Sequence, residues 1–222
     1  MKLYKYCEEQ YNPLNGCKTL RISTTCYFRK NYEGEGDYIN DHYEGLTGVT
    51  IPGIRITESK LCADGLIFST VKEKLDLLVV QRDFSPKYNS CFCINDNLGF
   101  HQELTVLVQK QLTPENVSLG NAYSTINTEN LPQASNVHGL ISLGFQGPIA
   151  YEKDDMKFDG PLSSDNALIL THCYKAKKFQ YQHEYRFLQL AASIEKKLIY
   201  DLEDFDYIMV NNSSLLKYYE AC

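Results

Sequence analysis

Lys175-Ala-Lys-Lys-Phe179-Gln-Tyr-Gln-His-Glu184-Tyr-Arg186-Phe-Leu188 reads as a basic lead-in running into a charged pair inside an apolar strand. Side chains of an extended segment alternate between faces. Tyr181, His183, Tyr185 and Phe187 therefore share one face, and Gln182, Glu184, Arg186 and Leu188 the other. A carboxylate and a guanidinium on one strand face have two readings. One is an ion pair in a cross-strand ladder or on a solvated face. The other is part of a cleft, with Glu184 as hydrogen-bond acceptor or general base for a sugar hydroxyl. Two further β-prone runs, Lys196 to Tyr200 and Asp206 to Val210, follow at hairpin-like intervals and favour an antiparallel arrangement.

Working back toward the amino terminus, Leu3 to Cys7 and Leu66 to Thr70 are short β-prone runs. Lys18 to Phe28 alternates Leu20, Ile22 and Thr24 against Arg21, Ser23 and Thr25, the mark of a half-buried strand. Strands are also expected over Gly48 to Thr57, Leu75 to Arg82, Tyr88 to Ile94, Glu103 to Lys110, Val137 to Leu143, Pro148 to Tyr151 and Ala167 to Tyr174. Within these, Asp76 to Val80 reads as buried on both faces. Thr113-Pro114 can start a short helix, and Asn211 to Cys222 reads as a terminal helix capped by Asn212 or Ser213. Arg29 to Gly45 is a long polar loop rich in Gly, Tyr and acid. The pattern is α+β and β-dominated, with a few peripheral helices, in a single domain over residues 1–222.

The 222 residues carry 17 Tyr, 10 Phe and no Trp, a balance that favours strands and clefts. A net charge of -6 argues against sequence-independent binding to long nucleic acid, which draws its affinity from a basic face. Lys175, Lys177 and Lys178 form a local basic patch that could meet a phosphate, but three lysines at a strand entrance read more readily as a solvated edge guard. Met1-Lys-Leu-Tyr-Lys-Tyr-Cys7 breaks its apolar run at once, and nothing approaches the ~18 apolar residues of a membrane span. A cytoplasmic protein without a membrane is expected, its eight Cys as buried free thiols. No Cys-x-x-Cys pair, His-Glu-x-x-His, phosphate loop or Gly-x-Ser-x-Gly turn occurs, and only Cys91-Phe-Cys93 comes close to a metal-ligand spacing. His172 and Cys173 are adjacent, so on a strand they face opposite ways and form no dyad.

Tyr4-Lys-Tyr6, then Leu20-Arg-Ile-Ser-Thr-Thr-Cys-Tyr-Phe28, then Asn40-Asp-His-Tyr-Glu-Gly45, and finally Lys175 to Lys178, Phe179 and Glu184-Tyr-Arg-Phe187 together resemble a bacterial and phage family. The layout of that family is similar to the ADP-ribosyltransferase superfamily, whose members bind NAD in the cleft of a split β-sheet. The resemblance covers the two ends of the chain. It implies a mostly antiparallel split sheet, NAD as substrate, and a protein or nucleic-acid acceptor, in a setting of phage–host conflict. It carries the catalytic acid to Glu184, with Arg186 and Gln182 beside it. Cofactor contacts fall to Tyr4 or Lys5 on the first strand, to Arg21 or Ser23 on the next, and to Tyr27. Three departures stand out. Gln182 replaces the first acid of the family's Glu-x-Glu pair, and no His stands in the first strand. Arg21 and Ser23 also share one strand where the Arg/Ser/Glu variant uses two. The competing class is a non-catalytic binding or inhibitor protein. It would use the acidic, Tyr-rich loop from Tyr32 to Tyr43, with Asp37, Asp41 and Glu44, against a basic partner.

Overall fold

The structure is a computed structural model that describes residues 1–30, 47–51, 54–59, 64–125, 135–152, 173–202 and 205–222. The chain starts with β1 (Leu3–Cys7), β2 (Thr19–Thr24), α1 (Thr25–Lys30), β3 (Thr47–Ile51), β4 (Ile54–Ser59) and β5 (Leu66–Val71). It continues through α2 (Leu77–Asp83), β6 (Ser90–Ile94), α3 (Asn97–Gln111), β7 (Ser118–Thr125), β8 (Ile141–Pro148) and β9 (Ala150–Glu152). It closes with β10 (Tyr174–Ala176), β11 (Glu184–Ser193), β12 (Leu198–Asp201), β13 (Tyr207–Asn211) and β14 (Tyr219–Ala221). The result is an α+β fold dominated by antiparallel sheet.

The main sheet runs β14-β6-β1-β5-β11-β12-β7, with β8 beside β11 and the β2–β13 ribbon beside β5. β5 is the branch point. Near its start, Leu66 and Ile67 pair with Thr24 and Ser23 of β2. At its end, Val71 pairs with Tyr4 of β1. The two ribbons thus leave β5 at opposite ends of the same edge, and a cleft opens between them. Its other edge is held continuously by β11 from Glu184↔Val71 to Gln189↔Leu66.

One face of the sheet is covered by α3, where Phe100, Leu104 and Val108 recur every fourth residue and are fully buried. Phe100 meets Phe187 of β11 edge-on with ring centroids 4.9 Å apart, and Phe68 of β5 at 5.6 Å. Each such side chain removed from water contributes roughly 1.5–3 kcal/mol. The opposite face carries a second apolar cluster of Ile67, Leu188, Leu190, Ile141 and Ile199. Tyr185 and Phe187 therefore sit on the α3 side, as alternation requires, and Glu184 and Arg186 on the other.

Several segments depart from the expected strands. Glu103 to Lys110 lies inside α3 because Asp96 caps the helix, its carboxylate accepting from Gly99 N–H at 3.0 Å. Leu75 to Arg82 contains α2 for the same reason: Asp76 accepts from Leu78 N–H at 2.8 Å, only Val80 is buried, and Leu78 is exposed. The strand after Lys18 stops at Thr24, whose hydroxyl accepts from Tyr27 N–H and turns the chain into α1. Residues after Thr113 form a turn rather than a helix, closed by Asn116 N–H on Thr113 O. The carboxyl end makes a 3-10 turn over Ser213–Tyr218 and then adds β14 to β6. Cys91 and Cys222 are disulfide-bonded, which corrects the free-thiol reading for that pair; Cys7, Cys17, Cys26 and Cys93 are free thiols. The polar loop from Tyr32 to Tyr43, with Asp37 and Asp41, and Glu44 beyond it, lies outside the described residues, as does most of the strand expected from Ala167. Among the described residues no helix is long and apolar enough to cross a membrane.

Candidate functional site

Glu184 opens β11 after an abrupt change of backbone. The expected extended run through Gln182 is instead a 3-10 turn, Lys177–Gln182, and His183 then takes a left-handed φ of 45°. The turn breaks the alternation upstream of Glu184, so Gln182 reaches the Glu184 side through the turn and not through a strand. It also brings Lys175 back over the start of β11. Lys175 Nζ lies 2.9 Å from Glu184 Oε2 and 3.1 Å from Gln182 Oε1. Lys175 is buried, which corrects the solvated reading of that lysine, whereas Lys177 and Lys178 are exposed.

Glu184 is 5% exposed and heavily engaged. Its Oε1 accepts from Arg186 Nε at 2.6 Å and from Ser69 Oγ at 2.5 Å. Its Oε2 accepts from Arg186 Nη2 at 3.3 Å in addition to Lys175. Ser69 is the cross-strand partner of Arg186, so register alone places its hydroxyl on this face. Burial pushes the Glu184 carboxyl up, but the guanidinium of Arg186, the ammonium of Lys175 and the hydrogen bonds from Arg186 and Ser69 outweigh it. The carboxyl is held far below the usual carboxylate range. Glu184 is thus a permanent anion near neutral pH. It can attract positive charge or accept a hydroxyl hydrogen bond, but it is a poor general base.

The solvated-pair reading of Glu184 and Arg186 does not describe this face. Both line a cleft of about 640 Å³ at the branch of the sheet. The catalytic and cofactor positions carried over by the resemblance all lie on its wall: Gln182, Glu184 and Arg186 from the β11 end, Tyr4 and Lys5 from β1, and Arg21, Ser23 and Tyr27 from β2 and α1. They do not all meet one another. Lys5 Nζ is 2.8 Å from the Ser69 carbonyl and 4.8 Å from the Phe68 ring centroid. Burial lowers its pKa. On the far wall Arg21 is stacked between two rings, its guanidinium carbon 4.4 Å from the Tyr27 centroid and 4.2 Å from that of Tyr207. Arg21 Nε also donates to Ser23 Oγ at 3.2 Å.

Sequence reasoning missed three contributors: Ser69, Lys175 as an inward cation, and Tyr207. Ser69-Thr70 inside the otherwise apolar β5 was the available signal, since a hydroxyl in a buried strand needs a partner. Comparison with known proteins was negative: no family model, no curated protein and no solved structure matches the chain.

Proposed function

We propose that the chain is an ADP-ribosyltransferase-like protein that takes NAD into the cleft of the split sheet and transfers ADP-ribose to a protein or nucleic-acid acceptor, in the cytoplasm of a bacterial host and in a setting of phage–host conflict. The observation that carries this reading is Glu184, an anion fixed at the floor of a cleft whose walls offer cations and aromatic faces. An anionic dinucleotide with two ring systems matches those walls chemically. In the transfer, the ribose C1′–nitrogen bond breaks and nicotinamide leaves with the electron pair. The fixed charge of Glu184 stabilises the oxocarbenium-like ribose, and the acceptor nucleophile bonds to C1′ and gives its proton to solvent. Ser69 supports this arrangement, since it supplies the hydroxyl from a second strand that Ser23, on the strand of Arg21, does not supply.

A second reading rests on the same carboxylate. Both oxygens of Glu184 already accept two donors each, so a ribose hydroxyl must displace one of them. Without that exchange the cleft binds and does not turn over, as a non-catalytic binding protein would. One experiment separates the two. The protein is mixed with NAD, binding is followed by calorimetry, and nicotinamide release is followed by chromatography, beside Glu184→Gln. Binding with release that is lost in the variant supports transfer. Binding without release supports the second reading. Absence of both removes NAD as the ligand.

A further inference from the structure

We infer that the β2–β13 ribbon at the mouth of the cleft is a stacking platform for unpaired nucleobases, so that the acceptor presented to the site is single-stranded nucleic acid. The inference rests on the transfer reading for its biological sense, but the binding it asserts needs no NAD.

The ribbon is built for a solvent-facing role on one side only. Ile208 and Val210 of β13 and Leu20 and Ile22 of β2 point into the core. The other side presents Tyr207 and Met209, 47% and 42% exposed, opposite Ser23 and Arg21 in register. All four of these side chains line the cleft. Tyr207 and Met209 are neighbours on one sheet face and form a contiguous half-exposed strip along the cleft, and a contiguous strip, unlike a single exposed apolar residue, marks a binding face. Arg21 stiffens the surface, because its guanidinium is packed between Tyr27 and Tyr207 and holds the Tyr207 ring. A rigid, half-exposed aromatic ring on a sheet face, backed by a guanidinium, is the arrangement that stacks bases without reading their sequence.

Charge fits the same occupant. The chain carries -6 overall, yet the described wall of the cleft holds five basic and two acidic side chains, Glu8 and Glu184 being the acids. Lys87 and Arg21 are the exposed cations of that set. A locally basic cleft in an acidic protein selects an anion that enters at this point and repels a long polyanion elsewhere. The ligand is therefore held by stacking with a small number of phosphate contacts, and a duplex, whose bases are already stacked, gains nothing here.

The test is fluorescence anisotropy of a labelled mixed-sequence oligonucleotide of about twelve residues, single-stranded and as its duplex, titrated with the full chain in the absence of NAD. The single strand is expected to bind and the duplex to bind at least about tenfold more weakly. Tyr207→Leu, which keeps a β-prone apolar residue, is expected to lose about tenfold of affinity, and Tyr207→Phe to keep it. Arg21→Gln is expected to lower the salt slope by about one between about 50 and 200 mM salt. Failure of the single strand to bind at low salt, equal binding of the duplex, or an unchanged Tyr207→Leu overturns the inference, and ADP-ribose appearing on protein alone does so as well. NAD turnover with no oligonucleotide binding overturns this inference and leaves the transfer reading standing. Oligonucleotide binding with no nicotinamide release does the reverse.

Discussion

Lys175 and Glu184 form a buried ion pair, 2.9 Å from Nζ to Oε2, across the 3-10 turn that leads the chain into β11. The pair is a consequence of that turn. Had Gln182 and His183 continued the strand, Lys175 would lie far along the chain axis from the carboxylate. Removing one partner of a buried pair strands the other, which costs about 3–5 kcal/mol. Arg186 remains to compensate Glu184, so Lys175→Met is expected to cost less, about 1–3 kcal/mol. Urea unfolding of Lys175→Met, Glu184→Gln and the double variant checks this. The double variant should be less destabilised than the two single effects added together, because the groups share one network.

The pH dependence of stability follows from Glu184. Its folded pKa is depressed below the ordinary 4.5, so the folded state binds its proton less readily than the unfolded chain. The stabilisation is therefore fully present above that ordinary value and is lost as pH falls below it toward the folded pKa. Denaturation midpoints recorded from pH 7 to pH 3 should show an acid limb in the wild type, and that limb should shrink in Glu184→Gln.

Gly144 of β8 is closed against α3. A Cβ there would collide with Thr105 Oγ1 and with the imidazole of His101, both fixed by the helix. Gly144→Ala is expected to cost about 1–3 kcal/mol by overpacking. Phe100→Ala, which empties the centre of the ring cluster with Phe68 and Phe187, is expected to cost about 3–5 kcal/mol. Thermal unfolding of each variant gives both numbers, and a neutral Gly144→Ala would mean that α3 can lift from the sheet.

The Cys91–Cys222 bond fastens β14 to β6 across a sequence separation of 131 residues. A loop of that size corresponds to about 4–5 kcal/mol in the chain-entropy account. Cys222→Ser should lower the unfolding temperature of the oxidised protein and have little effect once the protein is reduced. In a reducing compartment the pair stands as two thiols, which mass spectrometry of rapidly alkylated cell extract reads directly.

How much of this the sequence carried can be traced residue by residue. The strand from Glu184 was legible because Tyr185 and Phe187 alternate with charge, and the sheet partners β1, β5 and β6 were legible as short β-prone runs. α2 and α3 were not, because Leu-Leu-Val-Val and Leu-Thr-Val-Leu-Val are strand-like by propensity. Asp76 and Asp96 decide otherwise by capping; Asp76 directly precedes its apolar run, whereas Asp96 lies about two helical turns upstream of Leu104. In the site, Glu184 and Arg186 were legible as sharing a face from spacing alone. Lys175 was hidden in a run of lysines whose other members are exposed. Ser69 signals locally only that a hydroxyl in a buried strand needs a partner; which partner it meets, like the place of Tyr207, depends on register between distant strands.

The division of the sheet has one more consequence. Between its pairings with β2 and β1, β5 offers Phe68 to Thr70 an edge with no register partner on that side among the described residues. A bare stretch of strand invites a foreign segment to zip onto it, the usual start of aggregation or strand exchange. Lys5 stands in that gap with its ammonium on the Ser69 carbonyl, so the acceptor that an incoming backbone N–H would need is already taken. The same lysine that lines the cleft also keeps the opening from being sewn shut by another chain, and replacing it with an apolar residue trades a pocket for a sticky seam.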